Sequence, residues 1–406
     1  MRKNGDEIRI STKNTTLRAI GFVLALVVAV GAFSYGIASI GQKDPGYYEV
    51  EAPTDPELTR YASGFTLTCY FGGESDQIKK QMALAQEVYG EALLRAYKLL
   101  DPVNTYDGYV NLATLNASLG QSVQVSEELL SVLTDAWQRT QQGGGYSLFA
   151  GALVREWESI LTLGDAAAYD PLRNADSAAR IRAVYERTVQ PDAFSLTVEG
   201  NSVRLSVAQD VLAFLQENEY DGGVVNTGLL HDAYMISIVC AALEAQGFTD
   251  GYLVSDSGLT AALSAHSSGG SYCFYSSEEG KTVQSATAAV LPGSAVSMLR
   301  SFPLEEGEFM YYSVDDVRRS SISCLTDGTT SPLLQSCLTL RSDGDVVQAA
   351  YDSLVLMLQS EQSGLDAAVE SLDGTSVVYA AWNAAGLRAN SADFIPAEGV
   401  QLTLTK

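Results

Sequence analysis

Between Asp221 and Asp232 the chain reads DGGVVNTGLLHD, which gathers several chemistry-bearing residue types on one bend. Asp221 sets a carboxylate beside Gly222 and Gly223, two residues free to take positive φ, and Gly228 permits a second close backbone approach. A helix-like run, Leu229 to Gln246, follows at once. A glycine-rich loop that opens a helix can hold phosphate on its backbone N–H groups, because the helix N-terminus carries partial positive charge. The same residues also make an ordinary turn, so the motif by itself leaves both readings open.

Other chemistry-bearing residues are sparse. There are two histidines, His231 and His266, and five cysteines at irregular spacing with no CxxC pair. That pattern signals neither a zinc site nor a disulfide framework. Asp352 stands on an otherwise apolar helix face, and Asn116 closes the segment NTYDGYVNLATLN.

The elements around these residues read as a mixed α+β domain. A strand over 61–71 and a helix over 76–100 open it, and Ser126 is placed to cap a second helix that ends before Gly143-Gly144-Gly145. Helices are expected over 148–162, 170–189 and 345–359. SLTVEGNSVRLS, 195–206, alternates around Glu199-Gly200-Asn201 as a hairpin does. Further strands are expected over 251–255, 259–263, 271–275, 282–290, 309–312, 335–340, 377–382 and 400–405. No internal repeat or low-complexity tract interrupts them.

Composition limits the partners. The chain has 406 residues, 46% of them hydrophobic, and 25 Lys+Arg against 49 Asp+Glu give a formal net charge of -24. Such a surface repels phosphate and argues against a nucleic acid partner. The segment 19–42 lacks charge and is long and apolar enough to span a bilayer. Arg2, Lys3, Arg9, Lys13 and Arg18 precede it, which leaves residues 1–18 in the cytoplasm and exports the remainder. A cleaved signal peptide is the competing reading, against which stand a poor cleavage site after Ala38 and no cysteine to take a lipid. Residues 43–59, rich in proline and acid, read as an extracytoplasmic linker, and 60–406 as the exported domain.

Four blocks in this domain resemble, in order and spacing, the FAD:protein FMN transferases, the ApbE-like family, over about residues 60–385. NTYDGYVNLATLN is similar to S-T-Y-x-x-x-S-E-x-S-x-L-N, with Thr105, Tyr106, Leu115 and Asn116 in register. GGYSLFAGALVREW resembles G-x-F-D-P-T-x-G-P-L-x-x-x-W and keeps Gly144, Gly151, Leu153 and Trp157. DGGVVNTGLLHD is similar to D-L-G-G-I-A-K-G-Y-A-V-D and keeps Asp221, Gly223, Gly228 and Asp232. SCLTLRSDGDVVQAAYDSLVLML is similar to the S-V-T-V strand followed by A-D-A-L-S-T-A-L, and keeps Asp352.

The resemblance implies an ApbE-like, T-fold-related domain that binds FAD, uses Mg²⁺ on the pyrophosphate and moves FMN to a Thr or Ser hydroxyl of an exported acceptor or redox protein. Mg²⁺ takes hard oxygen ligands, and the protein chiefly positions the attacking hydroxyl. It implies a nucleotide site at Asn116, Asp221, Gly223, Thr227, Gly228 and Asp232, and a metal site at Asp352 with the Val224 carbonyl. Departures fall where the chemistry would be. Leu356 stands four residues after Asp352 in place of a threonine, Thr227 replaces a lysine, and Tyr146-Ser147-Leu148-Phe149 replaces F-D-P-T. Val110-Asn111 replaces S-E, and SISCLTDGTTSP, 321–332, occupies the place of H-x-x-D-P-x-T-G without a histidine. The expectation is a membrane-anchored extracytoplasmic ApbE-like domain that keeps the fold and has lost efficient transfer, acting as a flavin-binding or assembly module. The alternative is an active Mg²⁺-dependent transferase with a rewired site.

Overall fold

The structure, a computed structural model, describes residues 42–52, 64–190, 192–220, 223–278, 281–305, 308, 310–372, 377–383, 386–391 and 394–404. Contact density divides the chain into Met1–Gly46 with Phe71–Met82, and Tyr47–Tyr70 with Ala83–Lys406. In the first unit the Lys43 N–H donates to Ser75 Oγ at 3.0 Å. The candidate functional residues all belong to the second.

Strands β1 (Gly46–Val50) and β2 (Phe65–Phe71) lead into the long helix α1 (Ser75–Leu100). Helix α2 (Leu112–Asn116) starts on a reciprocal cap, in which Asn111 Oδ1 accepts the Thr114 N–H and Thr114 Oγ1 accepts the Asn111 N–H. After β3 (Ser122–Gln124), helix α3 (Glu127–Gln142) starts where Ser126 Oγ accepts the Leu129 N–H. Helices α4 (Gly151–Leu161), α5 (Ala166–Tyr169) and α6 (Ala175–Thr188) follow. The hairpin β4 (Phe194–Glu199) and β5 (Ser202–Val207) turns at the expected Gly200. Helices α7 (Gln209–Glu217) and α8 (His231–Ala245) come next, the latter opened by a 3₁₀ turn over Gly228–Leu230.

Strands β6 (Gly251–Ser255), β7 (Leu259–Ala262), β8 (Gly270–Glu278), β9 (Lys281–Val290) and β10 (Ala295–Arg300) form the strand-rich stretch. The short pair β11 (Tyr312–Val314) and β12 (Val317–Arg319) precedes β13 (Ser336–Arg341). Helix α9 (Val346–Met357) is capped by Asp345, whose Oδ1 accepts the Gln348 N–H at 2.9 Å. Helix α10 (Gln362–Ser371), β14 (Val377–Asn383), β15 (Gly386–Ala389), β16 (Phe394–Pro396) and β17 (Leu402–Leu404) complete the described elements.

One described sheet has nine strands in the order β1-β2-β6-β7-β10-β13-β14-β15-β17. Ladders from β2 to β15 are antiparallel, and β15 pairs with β17 in parallel. Side chains alternate across such a sheet, so its centre has two buried faces. Val296 and Met298 of β10, with Leu338 and Leu340 of β13, pack against Phe274, Ala286, Ala288 and Phe394 of the smaller β16-β9-β8 sheet. On the other face Cys337 meets Leu356 and Met357 of α9 and Leu365 and Ala368 of α10. The α+β class expected from the sequence is present.

Several expectations change. Of the stretch read as linker, Gly46–Val50 is an edge strand, held where the Tyr47 hydroxyl donates to Asp250 Oδ1 at 2.8 Å. The helix expected from Asp170 starts at Ala175, because Asn174 accepts the Asp176 and Ser177 N–H groups as the cap. Asp170 instead pairs with Arg319 in the core. The strand expected over 309–312 is the shorter β11, and Phe309 lies outside the described residues. Residues 1–41 also lie outside them, and with them most of the apolar run. Among the described residues, the helix long and apolar enough to cross a membrane is Gly228–Ala245, and it is a core helix with Ala233, Ile236, Val239 and Leu243 buried.

Candidate functional site

A cleft of about 730 Å³ opens where Val103, Gly151, Gly223, Gly228 and His231 meet, together with Ser321 of the segment that replaces the histidine motif. Two of the four blocks therefore border one cavity, beside Pro102 and Val103, which immediately precede the first. Asp101 shapes the first wall, accepting from the Val103 and Asn104 N–H groups at 2.8 and 2.9 Å and from the Tyr106 hydroxyl at 2.6 Å. Burial pushes the Asp101 carboxyl up, but the hydrogen bonds from Tyr106, Asn104 and Val103 outweigh it and hold it below the ordinary carboxylate range. This clamp leaves Val103 71% exposed at the lip of the cleft.

The loop after Gly223 forms the second wall. Val225 donates its N–H to Asn116 Oδ1 at 2.7 Å, and Asn116 Nδ2 donates to the Val225 and Pro102 carbonyls at 3.1 and 3.0 Å. Gly151 donates to the Val224 carbonyl at 3.3 Å, and Asn226 to the Leu148 carbonyl at 2.9 Å. A Cβ at Gly151 would run into the Gly223 carbonyl, so glycine is required there for α4 to approach the loop. Gly228 takes φ +54 and donates its N–H to Asn226 Oδ1 at 2.7 Å.

Thr227 is fully buried, its Oγ1 3.2 Å from His231 Nδ1. Burial lowers the His231 imidazole below its ordinary value, against the pull of Asp232 and Asp101. Asp232 Oδ2 accepts the Ser255 hydroxyl at 2.7 Å and so ties the start of α8 to β6. Glu158 lines the same cleft from an exposed position, where partial desolvation raises its carboxyl, and Arg155 donates to the Glu219 carbonyl at 2.8 Å. Asp221 lies outside the described residues.

Asp352 is elsewhere. It lines a second cleft of about 780 Å³ with Gly144, Arg341, Gln348 and Val355. Its Oδ1 accepts Gln348 Nε2 at 2.7 Å and its Oδ2 accepts Arg341 Nη1 at 3.3 Å. Burial raises its carboxyl, while Gln348 and Arg341 pull the other way. Leu356, one turn on, is fully buried beside Ile322, Leu334 and Cys337. The structure thus brings Gly223 and Gly228 to one cleft, braced by Asn116 and Thr227, and puts Asp352 in another.

Asp170 and Arg319 carry no signal legible in the sequence. Arg319 Nε donates to Asp170 Oδ2 at 2.8 Å, Nη2 to the Gly328 carbonyl at 2.7 Å, and the guanidinium lies 5.2 Å from the Trp157 ring centroid. Trp157, retained from the second block, donates its Nε1–H to the Thr326 carbonyl at 3.0 Å. Together they fix the segment that carries Ser321 and Cys324 to the cleft. The Arg318-Arg319 pair in VRRSS has no local pattern that points to a partner 149 residues away.

The crystal structure of the ApbE protein from Thermotoga maritima superposes with a TM-score of 0.58 at 13% identity, covering 87% of this chain and 97% of that one. The fold is that of the ApbE flavin transferases. Flavin transferase ApbE from Vibrio cholerae matches with a TM-score of 0.53 at 14% identity over 87% of this chain and 97% of its own. The apo flavinyl transferase ApbE from Pseudomonas stutzeri does so with 0.53 at 15% over 88% and 95%. No protein-family model matches the chain, and no curated protein does.

On this ApbE fold the cleft falls within the usual size range of organic ligand sites, roughly 300–1,000 Å³. The metal position does not fit a divalent cation. Mg²⁺ demands several oxygens in near-octahedral array. Leu356 offers none, Asp352 is engaged by a guanidinium and an amide, and the Val224 carbonyl accepts from Gly151. Among the described residues no group of three or more His, Cys, Asp and Glu side chains is placed to hold a metal.

Proposed function

We infer that this ApbE-like domain binds a flavin nucleotide in the cleft between Val103, Gly151 and Gly228 and does not transfer FMN efficiently. The observation that carries this reading is Leu356, fully buried among apolar side chains at the position where the resemblance implies an oxygen ligand for the metal. A phosphoryl transfer of this kind relies on a cation to neutralise developing charge. The cleft keeps the start of α8, Gly228 to His231, on its wall, and a helix N-terminus can hold phosphate. Assembly with an exported acceptor or redox protein is the role that fits such a domain.

The second reading is an active FAD:protein FMN transferase with a rewired site that attaches FMN to Thr or Ser of an exported acceptor. It is favoured by the extent of the ApbE likeness, 87% of the chain. In either case the apolar run 19–42, with five basic residues before it, anchors the chain in the cell membrane with its domain outside. Titration of the purified full chain with FAD, followed by flavin fluorescence in EDTA and in Mg²⁺, tests the first reading. Saturable binding of equal affinity in both supports it, and binding that appears only with Mg²⁺ favours the second.

A further inference from the structure

Asp352 sits in the middle of a continuous chain of charged and polar groups that spans four elements. Asp343, just past β13, accepts from Arg341 Nη2 at 2.6 Å and from Arg341 Nε at 3.0 Å. Arg341 reaches on through Nη1 to Asp352 on α9. Asp352 accepts from Gln348, whose Oε1 in turn accepts Arg139 Nη1 of α3 at 2.7 Å. Arg139 holds Asp135 by Nε and Nη2 at 2.7 and 3.0 Å, and Asp135 Oδ2 accepts the Tyr234 hydroxyl of α8 at 2.6 Å. The sequence of charge along this path is acid, base, acid, amide, base, acid.

Both guanidiniums are well enclosed, Arg139 with 6% and Arg341 with 11% of the side chain exposed. A planar guanidinium can serve two carboxylates at once and cannot lose its proton in a protein. Arg341 therefore does for Asp343 and Asp352 what a bound divalent cation does for a pair of acids. It lies between them, offers each a donor and cancels their repulsion.

We propose that Arg341 is a built-in counterion that takes over the charge role of a divalent cation at Asp352, so that this site is closed to Mg²⁺. The inference rests on the functional reading above only in taking Asp352 as the position where the resemblance implies a metal. Its readout is stability and needs no flavin, so a chain that binds no FAD can still pass or fail it.

The test is thermal unfolding of the full chain in EDTA and in millimolar Mg²⁺. The wild-type midpoint stays the same in both. Arg341→Gln removes the cation that both Asp343 and Asp352 accept from and leaves the buried Asp352 carboxylate without it, so its midpoint falls in EDTA and recovers saturably as Mg²⁺ is added. Arg341→Lys keeps a charge between the acids, unfolds above Arg341→Gln in EDTA, and gains less from Mg²⁺ than Arg341→Gln does. A wild-type midpoint that rises saturably with Mg²⁺, and stops doing so in Asp352→Asn, would overturn the proposal. So would an Arg341→Gln protein indifferent to Mg²⁺. If Arg341→Gln does not fold in EDTA, refolding it with and without Mg²⁺ gives the same decision, with recovery only in Mg²⁺ expected and failure in both contradicting it.

Discussion

Asn116 and Val225 exchange two hydrogen bonds across 109 residues of sequence, the Val225 N–H to Oδ1 at 2.7 Å and Nδ2 to the Val225 carbonyl at 3.1 Å. The amide copies a backbone partner, so an irregular loop is paired as if it lay in a sheet. A third bond, to the Pro102 carbonyl, ties the same side chain to the opposite wall of the cleft. Asn116→Ala should destabilise the fold by about 1–3 kcal/mol, because buried backbone groups lose their partners. Asn116→Asp should also destabilise it, since Asp keeps the acceptor but puts an oxygen against two carbonyls. Urea unfolding with a constant slope checks both.

Asp101 makes a pH-dependent contribution. Its folded-state carboxyl lies below the ordinary value of about 3.9, so the stability it adds is fully present above that value and is lost as pH falls through the lower, folded one. Asp101→Asn should be less stable than wild type at pH 7, and the gap should narrow below about pH 4. Chemical unfolding of both proteins at a series of pH values measures that difference.

The Asp170–Arg319 pair is enclosed, with 0% and 1% of the respective side chains exposed. Removing one partner strands the other charge, so Asp170→Asn and Arg319→Met should each cost roughly 3–5 kcal/mol. The double variant Asp170→Asn with Arg319→Met should cost less than the two single changes together. A double-mutant cycle by urea unfolding gives the coupling.

Restoring family-like residues should not restore a site. Leu356→Thr removes buried methyl groups and puts a hydroxyl among Ile322, Leu334 and Cys337, for a loss of roughly 2–5 kcal/mol. Thr227→Lys has to place an ammonium at a position with no solvent exposure. FAD affinity of the double variant, read by fluorescence titration, should not exceed that of wild type.

Where local chemistry sets an element, the sequence was enough to read it. Ser126 caps the helix expected of it, the helix expected from 345 begins where Asp345 caps it, and Gly200 turns the expected hairpin. The strand β10 escaped because AVSMLR is buried on both faces of the sheet and so shows no alternation. Of the candidate site, the glycines were legible because close approach at Gly151 and positive φ at Gly228 restrict residue type. The clamp at Asp101 was not, since an Asp before Pro102 is also an ordinary end of a helix. Arg341 and Asp352 lie 11 residues apart on a strand and a helix, and only the packing of α9 on the sheet brings them together.

The most direct test of lost transfer is in-gel flavin fluorescence after the full chain is incubated with FAD, Mg²⁺ and an acceptor protein bearing a reactive Thr or Ser. The acceptor should remain unlabelled, with no difference between Mg²⁺ and EDTA. A covalently fluorescent acceptor that appears only with Mg²⁺ would contradict the account and establish an active transferase.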